Sequence, residues 1–235
     1  MPSYSRLTIP ALATIVLVAA ASMSMSLPSL GNSPAAVARA AMAPEPAPVG
    51  VAASVDTAVF AGGCFWGVEA VFEHLAGVSS ATSGDAGGSA DSPTYEQVSS
   101  GGTGHAEAVL VVYDPGQISY DQLLQIFFTV AHDPTQLNRQ GPDVGTQYRS
   151  AVFYRNEAQR AATVRYIEKV EGAKVYPGKV VTEVAPLEIF HRAETYHQDY
   201  LVRHPTQPYI VINDAPKLEH LKRAFPALYR KPGVS

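Results

Sequence analysis

The sequence predicts one compact α+β domain, a two-layer α/β sandwich built on a small mixed sheet with long functional loops. Two observations carry that expectation. Short β-branched or alternating runs are interleaved with amphipathic helical segments, and the stretches between them are too unequal for a doubly wound parallel sheet. The folded part is also short, about 180 residues that begin after a Pro/Ala-rich stretch.

The first 43 residues stand outside that domain. They open with MPSYSRLTIPALATIVLVAAA, one early cation (Arg6) and then an apolar run to Ala21. That run suits an export signal better than a membrane span, which needs about 20 apolar residues. Small-residue cleavage patterns follow at Ala38-Arg39-Ala40 and Ala41-Met42-Ala43. Residues 1–43 therefore read as a signal peptide or a retained N-terminal anchor, 44–55 as a linker, 56–230 as the folded domain and 231–235 as a tail. An exported, periplasmic or membrane-held protein is the expectation.

The domain's elements follow in order. Residues 57–61 are apolar and β-branched, a strand closed by Gly62-Gly63. From Cys64 to Leu75, Val68, Val71, Phe72 and Leu75 recur at helical spacing, and Gly77 stops the helix. GVSSATSGDAGGSADSP reads as a strand fragment and then a glycine-rich loop. Residues 94–99 suit a short helix, and HAEAVLVVYD alternates as a strand. ISYDQLLQIFFTVAH is an amphipathic helix capped by Ser119, and HDPTQLNRQGPDVGTQYR a long polar loop of the kind that usually carries function. SAVFYRN is a strand, NEAQRAATVRYIEKVE a helix capped by Asn156, and KVVTEVAPLEIF a strand and exit. AETYHQDYLVRH and DAPKLEHLKRAF close the domain as helices.

Charge narrows the function classes. Without Arg6 and Arg39 the chain carries 15 basic and 21 acidic residues, a net charge of −6. Lysines and arginines are scattered, so no nucleic-acid footprint is expected. No glycine-rich phosphate-binding pattern occurs. His191, Glu194 and His197 fall on one face of the expected helix, but HxxExxH by itself is not an established ligand pattern, and no metal is expected. Nothing in the pattern of apolar residues calls for more than a monomer.

Cys64 is the chain's single cysteine and Trp66 its single tryptophan, both within AGGCFWGVEA. No internal disulfide is possible, and a lone thiol in an oxidising compartment is a liability unless it is used. At the junction of strand and helix, free N–H groups and the helix dipole favour a thiolate, so a lowered pKa is expected. Phe65 and Trp66 would wall the sulfur. These residues leave three readings open: a redox thiol, a cysteine hydrolase using one of the seven histidines, and a thiol-bearing binding module. Glu107 alone would pass for a solvated strand carboxylate, and His105 for a structural hydrogen-bonding group.

AGGCFWGVEA, PTYEQVSSGGTGHAEAV, YDP with ISYDQLL, HDPTQLNRQGPDVGTQYRSAVFY and FHRAETYHQDYL, in this order, resemble peptide methionine sulfoxide reductase of the A type. The resemblance runs from about Val59 to Tyr229. It implies that Cys64 attacks the sulfoxide sulfur and that Glu107 protonates the departing oxygen. It implies that Tyr95 and Tyr148 hydrogen-bond that oxygen. Phe65 and Trp66 would hold the S-methyl group, and Asp143 would help position the substrate. Substrates would be free methionine S-sulfoxide and oxidised proteins. No bound cofactor is implied. With no second cysteine, an external thiol, from a thioredoxin-like protein or dithiothreitol, would reduce the sulfenic acid left on Cys64. One departure stands out: the family commonly has an aromatic residue within G-Y-x-G-G, and here Asp85 takes that place. An acid there is expected to alter access or substrate preference, not the reaction.

Overall fold

The computed structural model describes residues 55–89 and 93–230. The expected leader and tail, and the linker apart from Val55, lie outside the described residues. Among the described residues no helix is long and apolar enough to cross a membrane.

A six-stranded mixed sheet organises the domain, in the order β7-β6-β1-β3-β2-β8. Its centre is β1 (Asp56–Gly62), flanked by β3 (Ala106–Tyr113) and β6 (Ser150–Tyr154). β2 (Val78–Ala86) lies outside β3, and β7 (Glu183–Pro186) and β8 (Phe190–Arg192) form the edges. Only β6 and β7 run parallel. The α+β sandwich expected from the sequence is what forms.

β1 shows why. Ala58 and Phe60 point to one face and Val59 and Ala61 to the other, and all four are buried. The first face meets α1 (Phe65–Glu73), α3 (Tyr120–Ile126) and α4 (Glu157–Gly172). There Phe60 stacks between Phe72 and Phe127, with ring centroids 5.1 and 4.9 Å away. Each such pair contributes about 0.5–1.5 kcal/mol beyond its buried area. The second face is narrow and lined by alanines, with Phe153 and the edge residue Phe190 over it.

The expected caps at Ser119 and Asn156 are in place, and Thr94 supplies a third. Thr94 and Ser119 each close a capping box, on α2 (Tyr95–Ser99) and α3, and Asn156 accepts from the Gln159 N–H at the start of α4. Three expectations need correction. β2 is not a fragment: it runs through Ser83-Gly84-Asp85 because β3 and β8 pair with it on both sides. Gly84 is required there, since a Cβ would lie 2.3 Å from the His191 carbonyl oxygen. The long loop folds back on itself through β4 (Arg139–Gln140) and β5 (Asp143–Val144). Finally, the expected helix over AETYHQDYLVRH is broken: a 3-10 turn (Thr195–His197) precedes the short α5 (Tyr200–Arg203), and His191 belongs to β8. Those residues therefore do not share a helix face.

The break is pinned by buried polar groups. Gln198 accepts from the Ser83 N–H and donates to the Ser83 and Ala193 carbonyls. Glu69 on α1 accepts from the backbone N–H groups of Ser83 and Asp199. Burial pushes Glu69 up to about 7 and its neighbour Glu73 up to about 9, the latter also through Asp199 and Glu69. An unfolded chain releases these protons near pH ~4.3. The folded chain keeps them, so the stability they contribute is present at acid pH and is lost as pH rises through the folded values. Glu73→Gln is expected to flatten the fall in Tm between about pH 5 and 9. A Tm series parallel to that of the parent chain would contradict this account.

Candidate active site

The site begins where β1 ends. Gly63 turns the chain at φ 90°, and a Cβ there would sit 2.5 Å from Gln140, so only glycine fits. Cys64 then caps α1 through its backbone, with its side chain free of any capping bond. Cys64 is 9% exposed, and the Trp66 backbone N–H lies on the side of the sulfur where it favours the ionised form.

The expected low thiol pKa is not what this geometry gives. Burial pushes the Cys64 thiol well above its ordinary value, and the Glu107 and Asp214 carboxyls add to the rise. The Trp66 N–H and the Lys217 ammonium oppose it and are outweighed. Desolvation penalises the full charge of a thiolate, whereas one helix terminus offers only partial charges. In the resting site the thiol is neutral.

Glu107 stands on β3 and points to the helix face with Val109 and Val111. It is 2% exposed and accepts from the Phe65 N–H at 3.0 Å, occupying one of the free amides at the helix start. The solvated strand carboxylate suggested by simple alternation is thus corrected, because α1 covers this face as well. Burial pushes Glu107 up to about 8, and the charges of Asp85, Asp143 and Asp214 work in the same direction. No Lys or Arg among the described residues forms an ion pair with it.

Tyr95, first residue of α2, and Tyr148, in the 3-10 turn Thr146–Tyr148, converge on the same place. Burial raises both phenols, Tyr95 to about 12, and each also feels Glu107 and Cys64. They are neutral donors near pH 7. The Tyr95 N–H is held by Glu194 at 3.3 Å. Asp143 on β5 accepts a hydrogen bond from the Tyr209 hydroxyl.

Aromatic rings wall the other side. Trp66 stacks on Tyr200 at 3.7 Å and meets Tyr209 edge-on at 6.0 Å. Its indole N–H donates to His197 Nδ1 at 3.1 Å. The His197 ring lies 5.1 Å from Phe65 and 4.4 Å from Tyr95. All seven residues expected to act in the site, Cys64, Phe65, Trp66, Tyr95, Glu107, Asp143 and Tyr148, are therefore brought together. Sequence reasoning missed Tyr200, Tyr209 and the Asp214–Lys217 pair, which is 3.1 Å apart. The only available signal for the tyrosines was that a lone tryptophan near a nucleophile needs partners.

The hydrolase alternative finds no support here. His132 is buried, with Nε2 on the Ser150 hydroxyl at 2.7 Å and Nδ1 on the Phe127 carbonyl at 2.9 Å, and burial lowers it to about 4. His105 Nδ1 accepts from the Gly88 N–H, as a structural group would. The described residues contain no group of three or more His, Cys, Asp or Glu arranged to hold a metal ion. What the arrangement offers is a neutral thiol, a carboxylic acid that keeps its proton at pH 7 and two phenols, all beside a cluster of aromatic rings. That set can reduce a small group bearing an electron-rich oxygen and protonate the oxygen as it leaves.

Comparison with known proteins agrees with this chemistry. The family model described as peptide methionine sulfoxide reductase matches residues 56–228. Peptide methionine sulfoxide reductase MsrA 2 of Mesorhizobium japonicum is 54% identical over 179 residues, covering 76% of this chain and 92% of that protein. The MsrA of Natronomonas pharaonis is 53% identical over 169 residues, 72% of this chain and 94% of its own length. Among solved structures, reduced Mxr1 of Saccharomyces cerevisiae matches with a TM-score of 0.61 at 34% identity, over 65% of this chain and 87% of that one. Methionine sulfoxide reductase A of Corynebacterium diphtheriae matches at 0.58 and 36% identity, over 70% and 84%.

Proposed function

The chain belongs to the peptide methionine sulfoxide reductase family, A type, and we propose that Cys64 and Glu107 are the pair through which it works. It is a peptide-methionine (S)-S-oxide reductase, an oxidoreductase that returns methionine sulfoxide to methionine through a cysteine sulfenic acid. The observation that carries the assignment of the pair is the Glu107 carboxyl. It is buried, has no cationic partner among the described residues and is hydrogen-bonded at the first turn of the helix that Cys64 caps.

In this reading the Cys64 sulfur attacks the sulfoxide sulfur while Glu107 gives its proton to the sulfoxide oxygen, and the proton released by the thiol restores the Glu107 acid. Tyr95 and Tyr148 donate hydrogen bonds to that oxygen as negative charge builds on it. Phe65 and Trp66 seat the S-methyl group, and Asp143, held by Tyr209, orients the substrate backbone. The net exchange balances: the thiol and the sulfoxide become a sulfenic acid and a thioether, with two electrons passing to the substrate sulfur. Two external thiols then return Cys64 to the thiol, giving one disulfide and one water. A thioredoxin-like protein fits this need, because Cys64 has no second cysteine in the chain to resolve it.

We place the working enzyme, as a monomer, outside the cytoplasm. It would be periplasmic in a cell with two membranes, or held there by residues 1–43; the apolar run to Ala21 supports this. The test of the activity is turnover of the separated R and S epimers of N-acetylated methionine sulfoxide by residues 44–235 with dithiothreitol. Consumption of the S epimer alone is expected. Consumption of both, or of R alone, would overturn the reading.

A further inference from the structure

Asp85 and Glu107 are register partners on β2 and β3. Side chains of directly paired antiparallel residues leave the same face with Cβ atoms about 4.5–5.5 Å apart. Both are buried, 5% and 2% exposed, and neither forms an ion pair with a Lys or Arg among the described residues. The pair therefore juxtaposes two carboxyls in a poorly solvated space, where like charges cannot both develop cheaply. Resting on the assignment of Glu107 as the acid, we propose that Asp85 is a positioning residue for the proton: its carboxylate keeps Glu107 protonated, and so competent to donate, at mildly alkaline pH.

The order of ionisation follows from the surroundings. Asp85 is pushed up to about 7, by burial and then by Glu194, and Glu107 to about 8, with Asp85 among its causes. Asp85 is the less deeply buried of the two and has His191 opposite it on β8, so the first charge of the pair falls on Asp85 and then opposes ionisation of Glu107. Other groups face the pair. His191 stands opposite Asp85 on β8, its ring perpendicular to that of His105 with centroids 5.2 Å apart. Glu194 and His197 come from the segment after β8, and Tyr95 from α2. Cys64 comes from α1, Asp143 and Tyr148 from the 143–148 loop, and Asp214 with Lys217 from the start of α6 (Ala215–Ala224). Lys217 is the only Lys or Arg in this set, and it is paired with Asp214 at 3.1 Å.

The experiment measures the single-turnover rate of methionine release from S-sulfoxide, before thiol is added, from about pH 5.5 to 9 in the parent chain, Asp85→Asn, Asp85→Glu and Glu107→Gln. Infrared spectra of the protonated carboxyl band, assigned by its loss in Glu107→Gln, accompany each profile. In Asp85→Asn the alkaline limb and the Glu107 band should both move about one pH unit or more to lower pH. The rate near pH 8 should then fall about fivefold or more, with little change near pH 6. Asp85→Glu, which keeps the charge, should keep the parent profile. Asp85→Ser replaces Asn as the neutral variant if Asn does not fold. A neutral variant whose limb and band stay in place, with Glu107→Gln slow, overturns the role of Asp85 and leaves Glu107 standing. A Glu107→Gln chain as fast as the parent overturns the assignment of Glu107 itself.

Discussion

Cys64→Ser is expected to abolish methionine release, by more than about 10⁴-fold, while the domain folds as before. The chain has one thiol, and no other side chain in the site can take up the sulfoxide oxygen and later give it back to a reductant. A serine hydroxyl would fit the same space at the helix cap, so folding should survive; circular dichroism and Tm check that. The parent chain makes the complementary prediction. With S-sulfoxide in excess and no thiol, it should release one methionine per chain and stop with a sulfenic acid on Cys64, trapped by dimedone and seen by mass. Repeated turnover without thiol, or release of methionine with Cys64 unmodified, would end the mechanism.

That single equivalent also explains why a neutral resting thiol is no handicap. Burial keeps the sulfur from ionising, and it also shields it from adventitious oxidants, which attack thiolates. Reactivity is then confined to a substrate that fills the aromatic pocket and brings its oxygen to Glu107, Tyr95 and Tyr148. The helix start contributes less through its dipole than through its geometry: its first N–H, that of Phe65, holds the acid that works beside Cys64.

How much of this could be read from the sequence depends on the residue. The central strands, the caps at Ser119 and Asn156 and the helix after Cys64 were legible, because local chemistry and tertiary packing agree there. β2 was under-read because Ser, Gly and Asp have little strand preference. What makes SSATSGDA a strand is pairing with β3 and β8, which only the assembled sheet supplies. The break at 197–200 is likewise tertiary, set by Gln198 and Glu69 reaching across to Ser83. The state of Cys64 was misjudged for a related reason. A helix start can be seen in sequence, whereas the depth at which it is buried cannot. Glu107 needed the resemblance to be singled out, since alternation alone places every second residue of a strand in water.

Glu107→Gln is the second large effect expected, a loss of about 10²–10⁴-fold in the rate of methionine release. Glutamine keeps the volume and can still accept from the Phe65 N–H, so the turn at Cys64 should hold. It has no proton to give, and the sulfoxide oxygen must then leave with help from the two phenols alone. Substrate binding draws on the aromatic pocket and Asp143, so KM should change little while kcat collapses. The pH profile separates loss of an acid from loss of shape. Glu107 is pushed up to about 8, so the parent rate should fall off above that pH, and the variant should lack this limb. Stability should move in the opposite sense. The folded chain holds the Glu107 proton up to about pH 8, whereas the unfolded chain releases it near pH ~4.3. The carboxyl's contribution is thus complete at acid pH and disappears as pH climbs through the folded value. Above it the glutamine chain should melt no lower than the parent. A variant that is slow, stable at alkaline pH and missing the limb has lost a proton donor. One that is slow, unstable and keeps the limb has lost its shape, and the acid would have to be sought elsewhere in the site.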